Sequence, residues 1–246
     1  MISIVDTLDN FKTNSKHKIK TGKGLMTKSI LAGAFIAIGG IASVTVSALD
    51  SPLAKIFSGF VFPIGLILII CFGMELFTGD VLIIPATLDF SRSTIFLAVV
   101  WLGNFIGAEL VAVAFSEIIT DPAIREKAIS IVEYKINMDP CATLFSAMFC
   151  NILVCSAVLL AKSAQSLVGK MMGAAFPVFI FVICGFEHCV ANMFYIPLGI
   201  FCKESVDNEF FLLCVRELMI ATLGNVAGGL FLGVSLYSLY GKDNEI

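Results

Sequence analysis

The sequence predicts an all-α integral membrane protein built from two inverted repeats of three helices. Three observations carry this prediction: the composition, a series of long apolar runs, and an internal repeat. Of the 246 residues, 58% are hydrophobic and 14% are charged, whereas soluble domains have about 45–50% apolar and about 25% charged residues. We infer that much of the surface faces lipid rather than water.

The apolar runs have the length that a bilayer requires of a helix. About 20 apolar residues are needed to cross the hydrocarbon core. The second and fifth runs are too long for one simple helix and carry Gly, Pro and a charged residue in their middles, so we predict that the second and fifth helices are broken. Six crossings would place both termini on the same side of the membrane. The runs fall near residues 29–49, 56–88, 93–120, 141–161, 171–201 and 210–240.

The basic residues are concentrated on the side that would hold both termini. Lysine and arginine in short loops favour the cytoplasmic side, so we predict that both termini are cytoplasmic and that residues 1–28 form a cytoplasmic N-terminal segment. The residues assigned to the cytoplasmic side are Lys12, Lys16, Lys18, Lys20, Lys23, Lys28, Arg92, Lys162, Lys170 and Lys242. The loops on the other side hold Lys55, Arg125, Lys127, Lys135 and Lys203.

An internal repeat relates the two broken runs. Residues 73–85 align without gaps with residues 185–197, sharing Gly, Glu, Ile and Pro, and Asp80 falls opposite Asn192. A second match follows in the third and sixth runs. There the sequence Leu102-Gly103-Asn104 with Gly107 corresponds to Leu223-Gly224-Asn225 with Gly228.

The repeat divides a single transmembrane domain, 1–246, into a first repeat, 29–120, and a second repeat, 141–240. Because each copy crosses the membrane an odd number of times, the two copies must have opposite orientations. In folds of this kind the substrate path lies at the repeat interface near the midplane, beside the broken helices. We therefore expect a path at the two Gly-x-Glu segments.

Two glutamates sit deep in the predicted membrane region, each two residues after a glycine. Glu75 follows Gly73, and Glu187 follows Gly185. A carboxylate at this depth is costly and either serves function or is satisfied by hydrogen bonds. One alternative is that the glutamates bind or relay protons. We favour the other, in which each accepts hydrogen bonds from backbone N–H groups freed by its helix break, because the repeat places one at both breaks.

His188 is not explained by the repeat, which places Leu76 opposite it. A lone histidine among apolar residues is often a satisfied core residue. This one lies at a predicted helix break beside Glu187, however, where ionisable groups are functional by default. An imidazole can also exchange a proton near neutral pH. We predict that His188 faces the path.

Small polar residues fall into two groups. Thr78 and Asn192 lie within the two breaks, and we predict that both offer hydrogen bonds to a passing solute. Asn151, Asn104 and Asn225 lie in the fourth, third and sixth runs, where an amide more often joins helices. We expect Asn151 to support a helix break.

Apolar residues flank the two breaks and would narrow the path on either side of His188. Apolar constrictions of this kind exclude hydrated ions. The residues placed there are Phe62, Leu66, Leu76, Phe77 and Phe181. The eight cysteines mostly fall inside apolar runs and form no C-x-x-C pair, so we predict no disulfide framework and no metal site. We also expect no cofactor and no nucleic-acid partner.

The segment from Gly185 to Pro197, together with Leu76-Phe77-Thr78-Gly79 and the two Gly-Asn pairs, resembles the formate/nitrite transporter family of bacterial and protist anion channels. The resemblance covers essentially the whole chain. It implies an aquaporin-like six-helix protomer that assembles as a homopentamer with one pore per protomer. It also implies a multi-pass protein of the bacterial inner membrane.

The resemblance gives roles to particular residues. It implies that His188 is the central pore histidine, that Thr78 belongs to the loop interrupting the second helix, and that Lys135 attracts anions toward the pore. A partner lysine is expected in the leader, and Lys16, Lys18 and Lys20 are all open. The constrictions implied by the resemblance hold Leu76, Phe77, Phe62, Leu66, Phe181 and Ala191.

These residues predict a membrane channel for small monovalent anions of weak acids, such as formate, nitrite or hydrosulfide, with protons assisting passage through the central histidine. A non-conducting membrane scaffold or sensor is the alternative. An enzyme using Glu187 and His188 as an acid/base pair is a third class, but the chain lacks a second cluster of catalytic groups. We do not expect an enzyme.

Overall fold

The computed structural model describes residues 1–241. Lys242, which was counted on the cytoplasmic side, lies outside the described residues. Within residues 1–241, six apolar stretches of helix are long enough to cross a membrane. They are Leu25–Ser47, Ala54–Phe72, Phe90–Ile118, Pro140–Ser163, Leu167–Cys184 and Asn208–Tyr240. The prediction of an all-α membrane protein with six crossings is confirmed.

The second and fifth crossings are broken, as predicted from their length. Each ends near the middle of its apolar run and is followed by shorter apolar helices. In chain order the helices are α1 (Ile4–Thr21), α2 (Leu25–Ser47), α3 (Ala54–Val61), α4 (Ile64–Phe72), α5 (Phe77–Asp80), α6 (Ile83–Thr87), α7 (Phe90–Ile118), α8 (Pro122–Ile136), α9 (Pro140–Ser163), α10 (Leu167–Cys184), α11 (Cys189–Cys202) and α12 (Asn208–Tyr240).

Each break begins at a glycine with a left-handed backbone. Gly73 has φ 68° after α4, and Gly185 has φ 73° after α10. A residue with a Cβ atom adopts this conformation only with strain, which accounts for glycine at both helix ends. The chain is extended again at Leu76 and His188, which precede α5 and α11.

Asn104 of α7 braces the first break. Its Oδ1 accepts a hydrogen bond from the Phe77 N–H at 2.9 Å. Its Nδ2 donates to the carbonyl of Glu75 at 3.0 Å and to that of Ser29 at 2.7 Å. Backbone groups at a break in a membrane have no water to bind, so one buried amide satisfies three of them.

Asn225 of α12 makes the same set of contacts at the second break. Its Oδ1 accepts from the Cys189 N–H at 2.8 Å, and its Nδ2 donates to the carbonyls of Glu187 at 2.9 Å and Ala147 at 2.8 Å. Asn151 Nδ2 in turn donates to the Asn225 carbonyl at 2.5 Å. The two repeats therefore brace their breaks with equivalent residues.

These contacts correct the expected mechanism of bracing. Glu75 and Glu187 were expected to accept hydrogen bonds from the freed backbone N–H groups. The asparagine side chains accept those bonds instead, and the glutamates contribute their carbonyl oxygens. The physical reason is that an asparagine amide both donates and accepts, so a neutral side chain satisfies both kinds of backbone group.

Glycines allow the long helices to approach closely. A Cβ atom at Gly107 of α7 would collide with the Ile30 carbonyl of α2. A Cβ atom at Gly228 of α12 would collide in the same way with the Met148 carbonyl of α9. Close approach through small residues is a common way for membrane helices to associate.

Besides the six crossings and the short helices that follow the two breaks, the described residues form two helices, α1 and α8, that were not predicted. The first, α1, buries Leu8 and Phe11 against the bundle, and the Tyr237 hydroxyl donates to the Leu8 carbonyl at 3.1 Å. The second, α8, packs against α11, where Val132 meets the backbone of Gly199. Both helices sit at the ends of the bundle, and both contribute residues to the cavities described next.

Candidate functional site

Three cavities bring the two helix breaks together. The α8 vestibule has a volume of about 660 Å³ and opens at the end of the bundle where α8 lies. The N-terminal vestibule, of about 170 Å³, is bounded on one side by α1. A central compartment of about 10 Å³ is lined by His188 and apolar side chains. That volume is about the smallest that holds one water molecule, so the centre is closed to a hydrated ion in this conformation.

Two pairs of apolar side chains separate these cavities. Phe62 and Phe181 line both the α8 vestibule and the central compartment, with ring centroids 5.8 Å apart in an edge-to-face arrangement. Leu66 and Leu76 line both the central compartment and the N-terminal vestibule. All four side chains are at most 4% exposed. Each pair therefore forms an apolar wall between the compartment and one vestibule.

His188 is held between the two repeats. Its ring stacks on Phe181 with centroids 5.6 Å apart and planes 7° from parallel. Its Nε2 lies 3.0 Å from the Oγ1 of Thr78, which belongs to the first break. Its Nδ1 lies 3.0 Å from the Ala191 N–H, because His188 is the residue that caps the start of α11.

These two hydrogen bonds assign the protonation state of the ring. The Ala191 N–H donates to Nδ1, so that nitrogen carries a lone pair and no proton. The neutral ring then carries its proton on Nε2 and donates to the Thr78 hydroxyl oxygen. A second proton on Nδ1 would face the Ala191 N–H and break the cap. The geometry therefore holds His188 as the neutral Nε2–H tautomer.

The α8 vestibule ends in an ion pair beside His188. Lys135 Nζ donates to both carboxylate oxygens of Glu187, at 2.6 Å and 2.8 Å. Asn192 Nδ2 donates to the same carboxylate at 2.8 Å. Lys135 is 11% exposed and Glu187 is 2% exposed, so the pair is largely removed from water. Each buried charge would be costly without the opposite charge of its partner.

The N-terminal vestibule holds a second and larger charge cluster. Lys18 of α1 forms ion pairs with Glu75 and, at 3.5 Å, with Asp80. Lys28 Nζ lies 3.7 Å from Glu75, and Lys162 also lines the cavity. Burial disfavours the charge of Lys18, but Asp80 and Glu75 outweigh this and raise the pKa of Lys18 above its ordinary value. Of the three leader lysines considered, Lys18 is the one that contacts the first break, through its ion pair with Glu75.

The remaining residues predicted to line the path divide into two groups. Ala191 and Asn192 line the α8 vestibule. Phe77 is buried in the core instead and lines none of the three cavities formed by residues 1–241. The reason is local, because Leu76 is extended whereas Phe77 begins α5, so their side chains diverge.

Sequence reasoning did not place several residues that line the cavities. The central compartment takes part of its wall from Ile36, Val154 and Val178 of three different helices. Apolar residues of this kind are indistinguishable from core residues in a sequence. Asp80 and Lys162 of the N-terminal vestibule carried a clearer signal, since each is a charge within or at the end of an apolar run.

Comparisons with known proteins agree with this architecture. A model of the formate/nitrite transporter family matches residues 5–239. A probable formate transporter of Methanothermobacter thermautotrophicus is 36% identical over 250 residues, covering 90% of this chain and 90% of that protein. A solved FNT family ion channel has a TM-score of 0.86 at 26% identity and covers 95% of this chain and 98% of its own.

A second solved structure is a pentameric formate channel with formate bound. Its TM-score is 0.77 at 30% identity, and the match covers 91% of this chain and 100% of that one. The relatives are described as transporters and channels rather than as enzymes. The chain belongs to the formate/nitrite transporter family of multi-pass membrane transporters and channels.

Proposed function

We propose that the chain conducts small monovalent anions of weak acids, with formate the first candidate, and that each anion crosses the centre as its neutral acid. One observation carries this proposal. The central compartment has apolar walls and a neutral His188, and a lysine-containing vestibule lies on each side of it. The formate channel and the probable formate transporter among the similar proteins support formate as the first choice. Nitrite and hydrosulfide satisfy the same chemistry.

The walls make passage of a bare charge costly. An ion that enters an apolar constriction loses its water and pays a desolvation penalty of several kcal/mol. The Phe62–Phe181 and Leu66–Leu76 pairs offer no charge to compensate that loss. A weak acid avoids the penalty when it takes up a proton before the wall, so a proton moves with each anion.

The vestibules raise the local concentration of the anion. The α8 vestibule is lined by Lys55, Lys127 and Lys135 against the two carboxylates of Asp50 and Glu187. The N-terminal vestibule likewise has three lysines against two carboxylates. An excess of positive charge in a narrow cleft attracts anions and increases their rate of entry.

His188 and Thr78 then act on the solute in the compartment. As the neutral tautomer, His188 has an Nε2–H to donate and no spare proton to release. We infer that it polarises the solute through a hydrogen bond, with Thr78 as its partner, and that the proton is taken up in the vestibules, with water as its ultimate source.

We also propose the assembly and the orientation. The similarity to a pentameric formate channel favours a homopentamer with one pore in each protomer. The distribution of lysines favours cytoplasmic termini and a cytoplasmic N-terminal vestibule, in the inner membrane if the source is a bacterium. The equivalent braces at Asn104 and Asn225 favour inverted repeats over residues 29–120 and 141–240 within one domain, 1–246.

Uptake into liposomes tests the function. Purified protein is reconstituted, and uptake of formate, nitrite and hydrosulfide is measured at about pH 5.5 and about pH 7.5. We expect selective uptake that is faster at the lower pH. His188→Asn keeps a side-chain acceptor for the α11 cap but loses Nε2–H, so we expect uptake to fall about twofold to tenfold, as for the loss of a hydrogen bond between neutral groups.

The alternative is a non-conducting scaffold or sensor. Wild-type protein that is correctly assembled but carries none of the three anions would favour that alternative. Uptake in His188→Asn equal to wild type at both pH values would contradict the role of the imidazole. Empty liposomes correct for the slow leak of neutral acids through lipid.

A further inference from the structure

The two breaks differ in the polar residue that follows each glutamate by five positions. In the second repeat Asn192 donates a hydrogen bond from Nδ2 to the Glu187 carboxylate. The equivalent position in the first repeat is Asp80, beside Glu75. A carboxylate has no hydrogen to donate, so Asp80 can make the equivalent bond to Glu75 only when it carries a proton.

Asp80 has an oxygen that no described residue satisfies. Asp80 is 6% exposed, and its Oδ1 lies 3.5 Å from Lys18 Nζ. Its Oδ2 is buried without a hydrogen-bond partner among residues 1–241, and the residue lines the N-terminal vestibule. A buried polar oxygen without a partner costs free energy unless a proton, water or solute satisfies it.

Burial and the neighbouring Glu75 carboxylate favour a proton at this position, whereas the lysines of the cavity oppose it. Asp80 and Glu75 both form ion pairs with Lys18, and Lys28 Nζ lies 3.7 Å from the Glu75 carboxylate. Lys162 is the further charged group in the lining of this cavity. Two carboxylates that share a buried site hold a proton more readily than either does alone.

We propose that Asp80 is a proton-binding group that protonates the permeant anion in the N-terminal vestibule, before the wall formed by Leu66 and Leu76; this rests on the proposed function. The Asp80 O–H bond breaks and an O–H bond forms on the anion, or an S–H bond in the case of hydrosulfide. The solute leaves as the neutral acid, and Asp80 becomes a carboxylate paired with Lys18. Water in the vestibule then returns a proton to Asp80. Passage in the opposite direction reverses these steps.

The proposal predicts a dependence on pH at one side of the membrane. Formate flux is measured in right-side-out and inside-out vesicles, with the pH changed only on the side of the N-terminal vestibule. We expect Asp80→Asn, which keeps the shape and can donate to Glu75 permanently, to reduce this dependence to less than about twofold across the two pH values used above. The dependence on pH at the other side should remain.

Glu217→Gln is the matched control. Glu217 is also a buried carboxyl in the membrane with one oxygen lacking a partner among the described residues, but its other oxygen accepts from Thr143 near the start of α9. It lines neither vestibule. We expect Glu217→Gln to keep the wild-type dependence of formate flux on pH at both sides of the membrane. An Asp80→Asn variant that keeps the wild-type response to pH at the N-terminal vestibule would overturn the proposal.

Infrared difference spectroscopy separates this proposal from the proposed function, because it requires no transport. Spectra of purified wild-type protein are recorded at low and neutral pH. We expect a carbonyl band of a protonated carboxyl group that is absent in Asp80→Asn and present in Glu217→Gln. If wild-type protein shows this band but transports none of the anions, the result would contradict the proposed function and leave the proton site in place. If no band depends on Asp80, the result would contradict the proton site.

Discussion

At the scale of single residues, the ion pair of Lys135 and Glu187 has two consequences. Both side chains are largely buried, so each compensates a charge that would be costly alone. The pair also places the ammonium group of Lys135 on the carboxylate of Glu187, the residue before His188, in the lining of the α8 vestibule. Stability and attraction of anions are therefore both assigned to the same lysine, and they need different measurements.

The stability role predicts a large effect of a single substitution. Lys135→Met leaves the Glu187 carboxylate with the Asn192 amide as its remaining partner. We expect a loss of about 3–5 kcal/mol, the usual cost of breaking a buried ion pair, seen as a lower midpoint in thermal unfolding of the purified oligomer. The double variant Lys135→Met/Glu187→Gln should recover part of the loss, because no buried charge is left unpaired.

Lys135→Met by itself tests the attraction of anions, because the double variant removes one charge of each sign and leaves the excess of positive charge in the vestibule unchanged. Correctly assembled Lys135→Met should carry less formate than wild type at low ionic strength, and the difference should shrink as salt screens the vestibule. Lys203→Met is the matched control, since Lys203 lies outside the vestibule lining. Equal flux of Lys135→Met and wild type at every salt concentration would contradict the role of Lys135 in attracting anions.

At the scale of elements, the broken helices depend on neutral braces. Asn104→Ala would leave the Phe77 N–H and the carbonyls of Glu75 and Ser29 without their partner. Each unsatisfied buried group costs about 1–3 kcal/mol, so we expect a destabilisation of at least about 3 kcal/mol. The measurement is the thermal unfolding midpoint of the purified protein.

Asn137→Ala is the control for the brace. Asn137 is exposed at the end of α8, and its Nδ2 donates to the Glu133 carbonyl at 2.8 Å. A substitution at such a surface position should change stability by no more than about 0.5 kcal/mol. Equal effects at Asn104 and Asn137 would show that the first break does not need its brace.

The elements also show how far the sequence could lead. The six crossings and both breaks follow from run length, glycine position and the repeat, because lipid imposes those constraints on any chain. The helix α1 was missed although Ser3 caps its start and Gly22, with φ 55°, ends it. Its stability comes from burying Leu8 and Phe11 against other helices, which a local pattern does not reveal.

The candidate site was predicted in outline but not in its partners. The repeat and the break located His188 and Thr78, and the structure joins their side chains. The choice among the leader lysines depended on the rotation of α1, which turns Lys18 toward Glu75. The exclusion of Phe77 depended on where α5 begins. Helix rotation and the start of a short helix are set by packing rather than by residue type.

At the scale of the whole molecule, we propose that each protomer holds its own pore. All three cavities are lined by residues of a single chain, and both breaks of that chain meet at His188. A pentamer would therefore contain five independent paths. If wild-type and His188→Asn chains are mixed within pentamers, formate flux should fall in proportion to the fraction of variant chains, as measured in liposomes of known composition.

Native mass spectrometry of the same samples supplies the number of chains per oligomer, each of 26.4 kDa. A flux that falls more steeply than the variant fraction would indicate that protomers conduct only together. A flux unchanged by the variant would contradict the role assigned to the imidazole of His188.

The central claim is that the anion crosses the apolar walls as a neutral acid. The most direct test measures formate entry and internal pH together in liposomes while potassium and valinomycin set the membrane voltage. We predict that one proton enters with each formate, since neutral formic acid is the species that crosses, and that the rate does not respond to voltage. Formate entry that carries net charge, follows the imposed voltage and leaves the internal pH unchanged would contradict the claim.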